Sequence, residues 1–250
     1  MTTTATRERP INLREWEVRA IRRGMKTQLR LPVSGVPETG PNSGAPIREI
    51  VPSLLANSHG DLWDVRYDDD NPRAVRCPFG ATGNRLWARE PFARNGFDVG
   101  ERVYYRADGA SQFMGEMRES NGNVTRYFTD RWEKNGERRS GSDWNPATRM
   151  PRWASRLTLE VESVRVQRLH ALTDADAADE CAEQYIDSLD GRAWDIAVER
   201  WCRNTKIVTP DAFKASQKGA FVLTWDRRFR DTPWKCNPWV WALTFKVVTP

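Results

Sequence analysis

Between Trp239 and Val248 the apolar side chains fall on both alternating faces of the chain: Trp239, Trp241, Leu243, Phe245 and Val247 on one, Val240, Ala242 and Val248 on the other. A strand of that kind exposes apolar surface whichever way it turns, so it must lie inside a sheet covered on each side. Its tryptophans then belong to the core. A second long strand, Leu157 to Leu169, carries apolar residues at 157, 159 and 161 in one phase and at 164 and 166 in the other. The slip at Ser163 predicts a β-bulge, which bends a strand and lets a sheet curl towards a barrel. At 250 residues the chain is long enough to bury such a core.

The remaining elements follow from periodicity and punctuation. Leu13, Trp16, Ala20 and Ile21 share one face of a helix over Leu13 to Arg23, and Gly24 is placed to end it in the left-handed conformation. Lys26 to Leu31 then reads as a strand, with Lys26, Gln28 and Arg30 on one side and Thr27, Leu29 and Leu31 on the other. Residues 32–57 are rich in Pro, Gly, Ser and Asn without periodicity and read as a surface loop; Asp68, Asp69 and Asp70 before Asn71-Pro72 read as a turn. Strands are expected at Arg85 to Glu90 and Val103 to Ala107. Residues 109–148 form a polar insertion whose Asn121-Gly122-Asn123 turn pairs Val124 to Phe128 into a hairpin. Thr173 and Asp176 have capping-box spacing ahead of a helix over Asp174 to Ser188, and further helices are expected over Gly191 to Asn204 and Asp211 to Gly219. The sum is an α+β chain, a single domain over 1–250.

Charge narrows the partners. The net charge is +5, and the first thirty residues alone hold eight basic side chains against three acidic ones. A localised basic surface suits a phosphate-bearing partner, although a solvated helix face has the same composition. The cysteines, at 77, 181, 202 and 236, form no Cys-x-x-Cys pair and have only His59 and His170 for company, so neither a metal nor a disulfide framework is indicated. Nothing calls for a cofactor. No apolar run is long enough to cross a bilayer and residues 1–10 lack a signal-peptide centre, so a cytoplasmic location without membrane contact is expected.

Four blocks carry a resemblance: Gly24-Met25-Lys26-Thr27-Gln28-Leu29-Arg30, then Gly83 to Glu90, Met150 to Arg156 and Asn237 to Phe245. In this order they resemble the ASCH family of PUA-like β-barrels, in particular its phage and prophage branch, and they cover about a fifth of the chain. The resemblance implies a small PUA-like barrel with surrounding helices, and puts the Arg85 strand beside the Lys26 strand. One ASCH branch hydrolyses the amide of N4-acetylcytidine with a lysine, a threonine three residues later and a glutamate near a helix start. Lys26 stands at the lysine and Glu180 at the glutamate, but Leu29 occupies the threonine position and Leu31 that of an arginine. Thr27 is a substitute hydroxyl, although an extended segment turns it away from Lys26.

Three functions therefore stay open. In the first, a basic barrel cleft floored by Lys26 and walled by Arg30, Arg85, Trp87, Arg89 and Glu180 binds a nucleotide, RNA or single-stranded DNA. There the arginines hold phosphate, the indole stacks on a base and Glu180 accepts a base amino group. In the second, Lys26 and Glu180 hydrolyse a modified nucleoside, either through a hydroxyl or through water; the inert counterpart is a cross-barrel ion pair. In the third, the barrel is a phage–host protein-interaction scaffold presenting residues 109–148.

Overall fold

The computed structural model describes residues 8–36, 46–53, 60–68, 73–97, 100–118, 124–129, 144–180, 182, 198–199, 202 and 217–248. Strand β1 (Glu8–Asn12) leads into helix α1 (Glu15–Arg22), and β2 (Gln28–Pro32) follows. The helix stops as its glycine requires. Gly24 has φ +72°, its N–H donates to Ile21 O at 2.9 Å, and Met25 N–H donates to Ala20 O at 2.9 Å. Those two bonds define a Schellman motif, and they set the exit direction of the chain into β2.

After β3 (Ile47–Pro52), β4 (Leu62–Tyr67) and β5 (Arg73–Arg76) come β6 (Arg85–Arg89), β7 (Phe92–Phe97), β8 (Gly100–Tyr105), β9 (Ser111–Arg118) and β10 (Val124–Thr129). The chain finishes with β11 (Thr158–Arg168), α2 (Asp174–Glu180), α3 (Gln217–Arg228) and β12 (Trp239–Val248). The main sheet has the order β1-β6-β11-β12-β2, with β1 parallel to β6 and the other pairs antiparallel. β12 is an interior strand between β11 and β2, and its register with β11 shifts between Val161 and Ser163, the bulge that the phase slip demands.

One face of this sheet carries Leu29, Leu86, Leu159, Val161, Leu243 and Phe245, which pack with Val18 and Ile21 of α1. Further along the same face Trp241 meets the three-stranded sheet β3-β4-β5, its ring edge-on to Trp63 at 5.6 Å. On the opposite face Val240 joins α2 and α3 in a second cluster with Phe221 and Trp225. The third sheet, β10-β9-β8-β7, is tied to the main one by Arg156, whose guanidinium lies 3.9 Å from the centre of the Tyr105 ring of β8 and makes two bonds to the buried Glu90 carboxylate, just past the end of β6, at 2.7 and 2.9 Å. No helix among the described residues is long and apolar enough to cross a membrane.

Several expectations change. The edges β1 and β2 do not pair among the described residues, so the sheet curls without closing into the expected barrel. Val18 and Ile21 of α1 belong to the same core cluster as Ile11 of β1 and Leu29 of β2, so the helix contributes to the core between the two edges. Strand β6 does not lie beside β2, because β11 and β12 stand between them. The 32–57 loop contains β3, whose register shift between Ile47 and Glu49 hides its alternation. The polar insertion supplies β9 and β10, which pair antiparallel, while the expected turn at 121–123 lies outside the described residues. Helix α3 runs to Arg228, with Phe221, Val222 and Trp225 buried, well past the expected end at Gly219. Within the helix expected over Gly191 to Asn204 only 198–199 and 202 are described, and they are helical; residues 183–190 and 211–216 lie outside the described set.

Candidate functional site

The junction of α1 and β2 buries charge. Lys26 has a side chain with no exposure; its Nζ donates to Glu180 Oε2 at 2.5 Å and to Glu180 O at 2.8 Å, and lies 5.3 Å from the centre of the Trp16 ring. Arg30, equally buried, donates through Nη1 to Glu180 Oε1 and to Gln28 Oε1, both at 3.1 Å. Its Nη2 forms an ion pair with Asp176 Oδ1 at 3.0 Å without hydrogen-bond geometry, and that oxygen accepts a hydrogen bond from Arg165 at 3.1 Å. Gln28 in turn donates to Asp179 Oδ2 at 2.8 Å.

Register explains how two guanidinium groups reach one carboxylate. Arg30 and Arg165 both pair with Ala242, one from each side of β12, so a methyl group separates two long side chains rising from the same face. Asp176 is held in place by the capping box: its N–H donates to Thr173 Oγ1 at 3.1 Å, and Thr173 N–H donates to Asp176 Oδ2 at 3.3 Å. Burial alone would raise its carboxyl, but the Arg30 charge, the Thr173 bonds and Arg165 outweigh burial and hold it well below the usual carboxylate range. Thr27 N–H donates to Asp179 O at 3.0 Å, completing the join between β2 and α2. Three cations (Lys26, Arg30, Arg165) thus meet the carboxylates of Asp176 and Glu180, and Gln28 links the third carboxylate, Asp179, to them.

This arrangement corrects the basic cleft. Lys26, Arg30 and Glu180 come together as expected from the resemblance, yet as a closed and charge-balanced cluster rather than an open cationic floor. The chamber beside it, lined by Trp16, Leu29, Arg30, Glu180, Phe221 and Thr224, holds about 20 Å³, room for one water and no base. Leu29 is 1% exposed and belongs to the main core. Thr27 is exposed, so its hydroxyl does not stand in for the missing threonine. Thr224 adds a hydroxyl to the chamber lining, with Oγ1 donating to Phe221 O at 2.8 Å.

The larger concavity opens on the far side of Trp16. A groove of about 810 Å³ is lined by Arg14, Trp16, Arg19, Pro91, Arg228 and Phe229 among others, within the range of roughly 300–1,000 Å³ typical of ligand clefts. It lies where the parallel strands β1 and β6 both end, and it shares Arg14, Trp16, Arg228 and Phe229 with the inner chamber. Its lining holds three arginines against one carboxylate, Glu15. Arg228 spans from α3 to α1, pairing with Glu17 Oε1 at 2.6 Å while Glu17 Oε2 accepts the Arg14 N–H at 2.7 Å. None of these groove residues was singled out by motif. Arg14 and Arg19 sat inside the basic opening segment and Trp16 on the apolar helix face, but nothing local linked them to Arg228 and Phe229.

Arg85, Trp87 and Arg89 stand apart from the ion cluster. They project from the face of β6 opposite Leu86 and Ala88, half-buried, with Arg89 5.6 Å and Arg152 5.9 Å from the centre of the Trp87 ring.

The fold and its site thus define a mixed α+β protein with a neutralised ion cluster behind an arginine-lined groove. No family model matches the sequence, and neither curated proteins nor solved structures give a match.

Proposed function

We propose that this chain is a nucleotide- or nucleic-acid-binding protein of the ASCH type, and that the ligand occupies the groove between α1 and the end of α3. The observation that carries this reading is the groove itself: nucleotide-sized, with Arg14, Arg19 and Arg228 in its walls beside Trp16 and Phe229. Guanidinium groups hold phosphate and aromatic rings accept a base face, whatever the sequence. In this reading the cluster of Lys26, Arg30 and Glu180 acts indirectly. It fixes the angle at which α1 gives way to β2, and so the position of Trp16 in the groove wall. Anisotropy titrations with labelled short RNA and DNA test it: binding at low salt that weakens steeply as salt rises is expected, because phosphate contacts release counterions. Absence of binding at low salt removes the proposal.

A second reading, hydrolysis of an N4-acylated cytidine, is supported by the 2.5 Å contact between Lys26 and Glu180 beside a chamber that also offers Thr224. A carboxylate next to an ammonium can serve as base towards water. The chamber would have to widen to admit a base. Incubation with acylated cytidines followed by chromatography decides the matter, and unchanged substrate at high protein concentration ends this reading.

A further inference from the structure

The outward face of β6 runs up to the mouth of the groove. Arg89, its last residue, pairs in register with Asn12, and its Nη1 donates to Thr148 O at 3.2 Å; Asn12 and Ala147, the neighbour of Thr148, both line the groove. From there Trp87 and Arg85 continue away along the same face, at steps of about 7 Å set by the two-residue repeat of a strand. Arg152, exposed on the short helical turn Arg152–Ala154, also comes within 5.9 Å of the centre of the Trp87 ring. One indole therefore has two guanidinium groups near it, at 5.6 and 5.9 Å from its centre, with a third along the strand. Glu8 faces this surface as a counter-charge, 2.7 Å from Arg152 Nε, and Glu160 pairs in register with Arg85.

Such a row does nothing for a free nucleotide in the groove. It suits a polymer, in which phosphates recur along an extended chain and a base can stack on the indole between them. We infer that the groove's ligand is a single-stranded nucleic acid, whose chain leaves the groove past Arg89 and continues across the Trp87 face of β6. The inference rests on the groove reading given above and names its substrate class. The Arg-Trp-Arg strand is then an outer track, while the groove holds one nucleotide of the strand.

The test compares a nucleoside monophosphate with single-stranded RNA and DNA octamers on the full chain. Octamers of at least one kind are expected to bind more tightly than the monophosphate. Trp87→Ala is expected to weaken octamer binding by about tenfold, the range of one lost base–aromatic stack, while leaving monophosphate binding unchanged. Arg152→Gln, at an exposed position, should weaken the octamer alone and lower its salt dependence. Arg14→Gln in the groove should weaken both ligands. Octamers that bind no more tightly than the monophosphate, or that are indifferent to Trp87→Ala and Arg152→Gln, overturn the track. Octamer binding that depends on Trp87 but not on Arg14, with no monophosphate binding, would sustain the track and overturn the groove reading instead.

Discussion

Lys26 Nζ lies 2.5 Å from Glu180 Oε2, although 154 positions separate the two residues in the chain. With Arg30 on the other carboxylate oxygen, a single glutamate bridges two fully buried cations, and Asp176 supplies the second counter-charge to Arg30. Removing one partner of such a pair typically costs about 3–5 kcal/mol, because the remaining charge stays buried without compensation. Glu180→Ala is expected to fall in that range in urea denaturation. Lys26→Met should cost clearly less, since Arg30 still satisfies Glu180; equal losses would show that Arg30 does not share the carboxylate.

Asp176 gives the cluster an acid-sensitive edge. Its folded pKa is depressed, so its contribution is fully present above the unfolded value of about 4 and is lost as pH falls from there towards the lower folded value. Urea midpoints measured from pH 6 down to pH 3 should drop in the wild type. In Asp176→Asn the midpoints should start lower and fall less over that window, and parallel curves would remove the assignment.

Leu29 stands at the position that the ASCH resemblance assigns to a threonine, and its side chain is core. Leu29→Ala should destabilise the fold by about 2–5 kcal/mol while leaving the groove's ligand affinity intact in the protein that remains folded. A loss of binding larger than the loss of folded protein would place Leu29 in the ligand site itself.

The thiols should differ in reactivity. Cys77 is fully buried and burial pushes its thiol up to about 11, whereas Cys236 is exposed. Alkylation at neutral pH followed by peptide mass spectrometry should label Cys236 rapidly and Cys77 only after unfolding.

The parts of this fold that sequence made legible are those governed by near neighbours. Apolar residues on both faces placed β12 inside the sheet, a phase slip marked the bulge at Ser163, and Gly24 and the Thr173–Asp176 pair announced a helix end and a helix start. Strand β1 escaped notice because its five residues, Glu8 to Asn12, offer only one buried apolar side chain, Ile11. The Arg85-Trp87-Arg89 pattern correctly marked one polar face but not its address, which is fixed by strand order. The groove was invisible for a similar reason: Arg228 meets Glu17 across 211 positions, and no motif spans that distance.

The most direct measurement of the central claim is the salt dependence of nucleic-acid binding in the wild type and in Arg14→Gln. The groove account expects affinity to fall linearly on a log–log plot, with the variant binding more weakly and with a slope shallower by about 0.7, the share of one phosphate contact on a single strand. Affinity that ignores salt, or a variant whose line superimposes on that of the wild type, would contradict it.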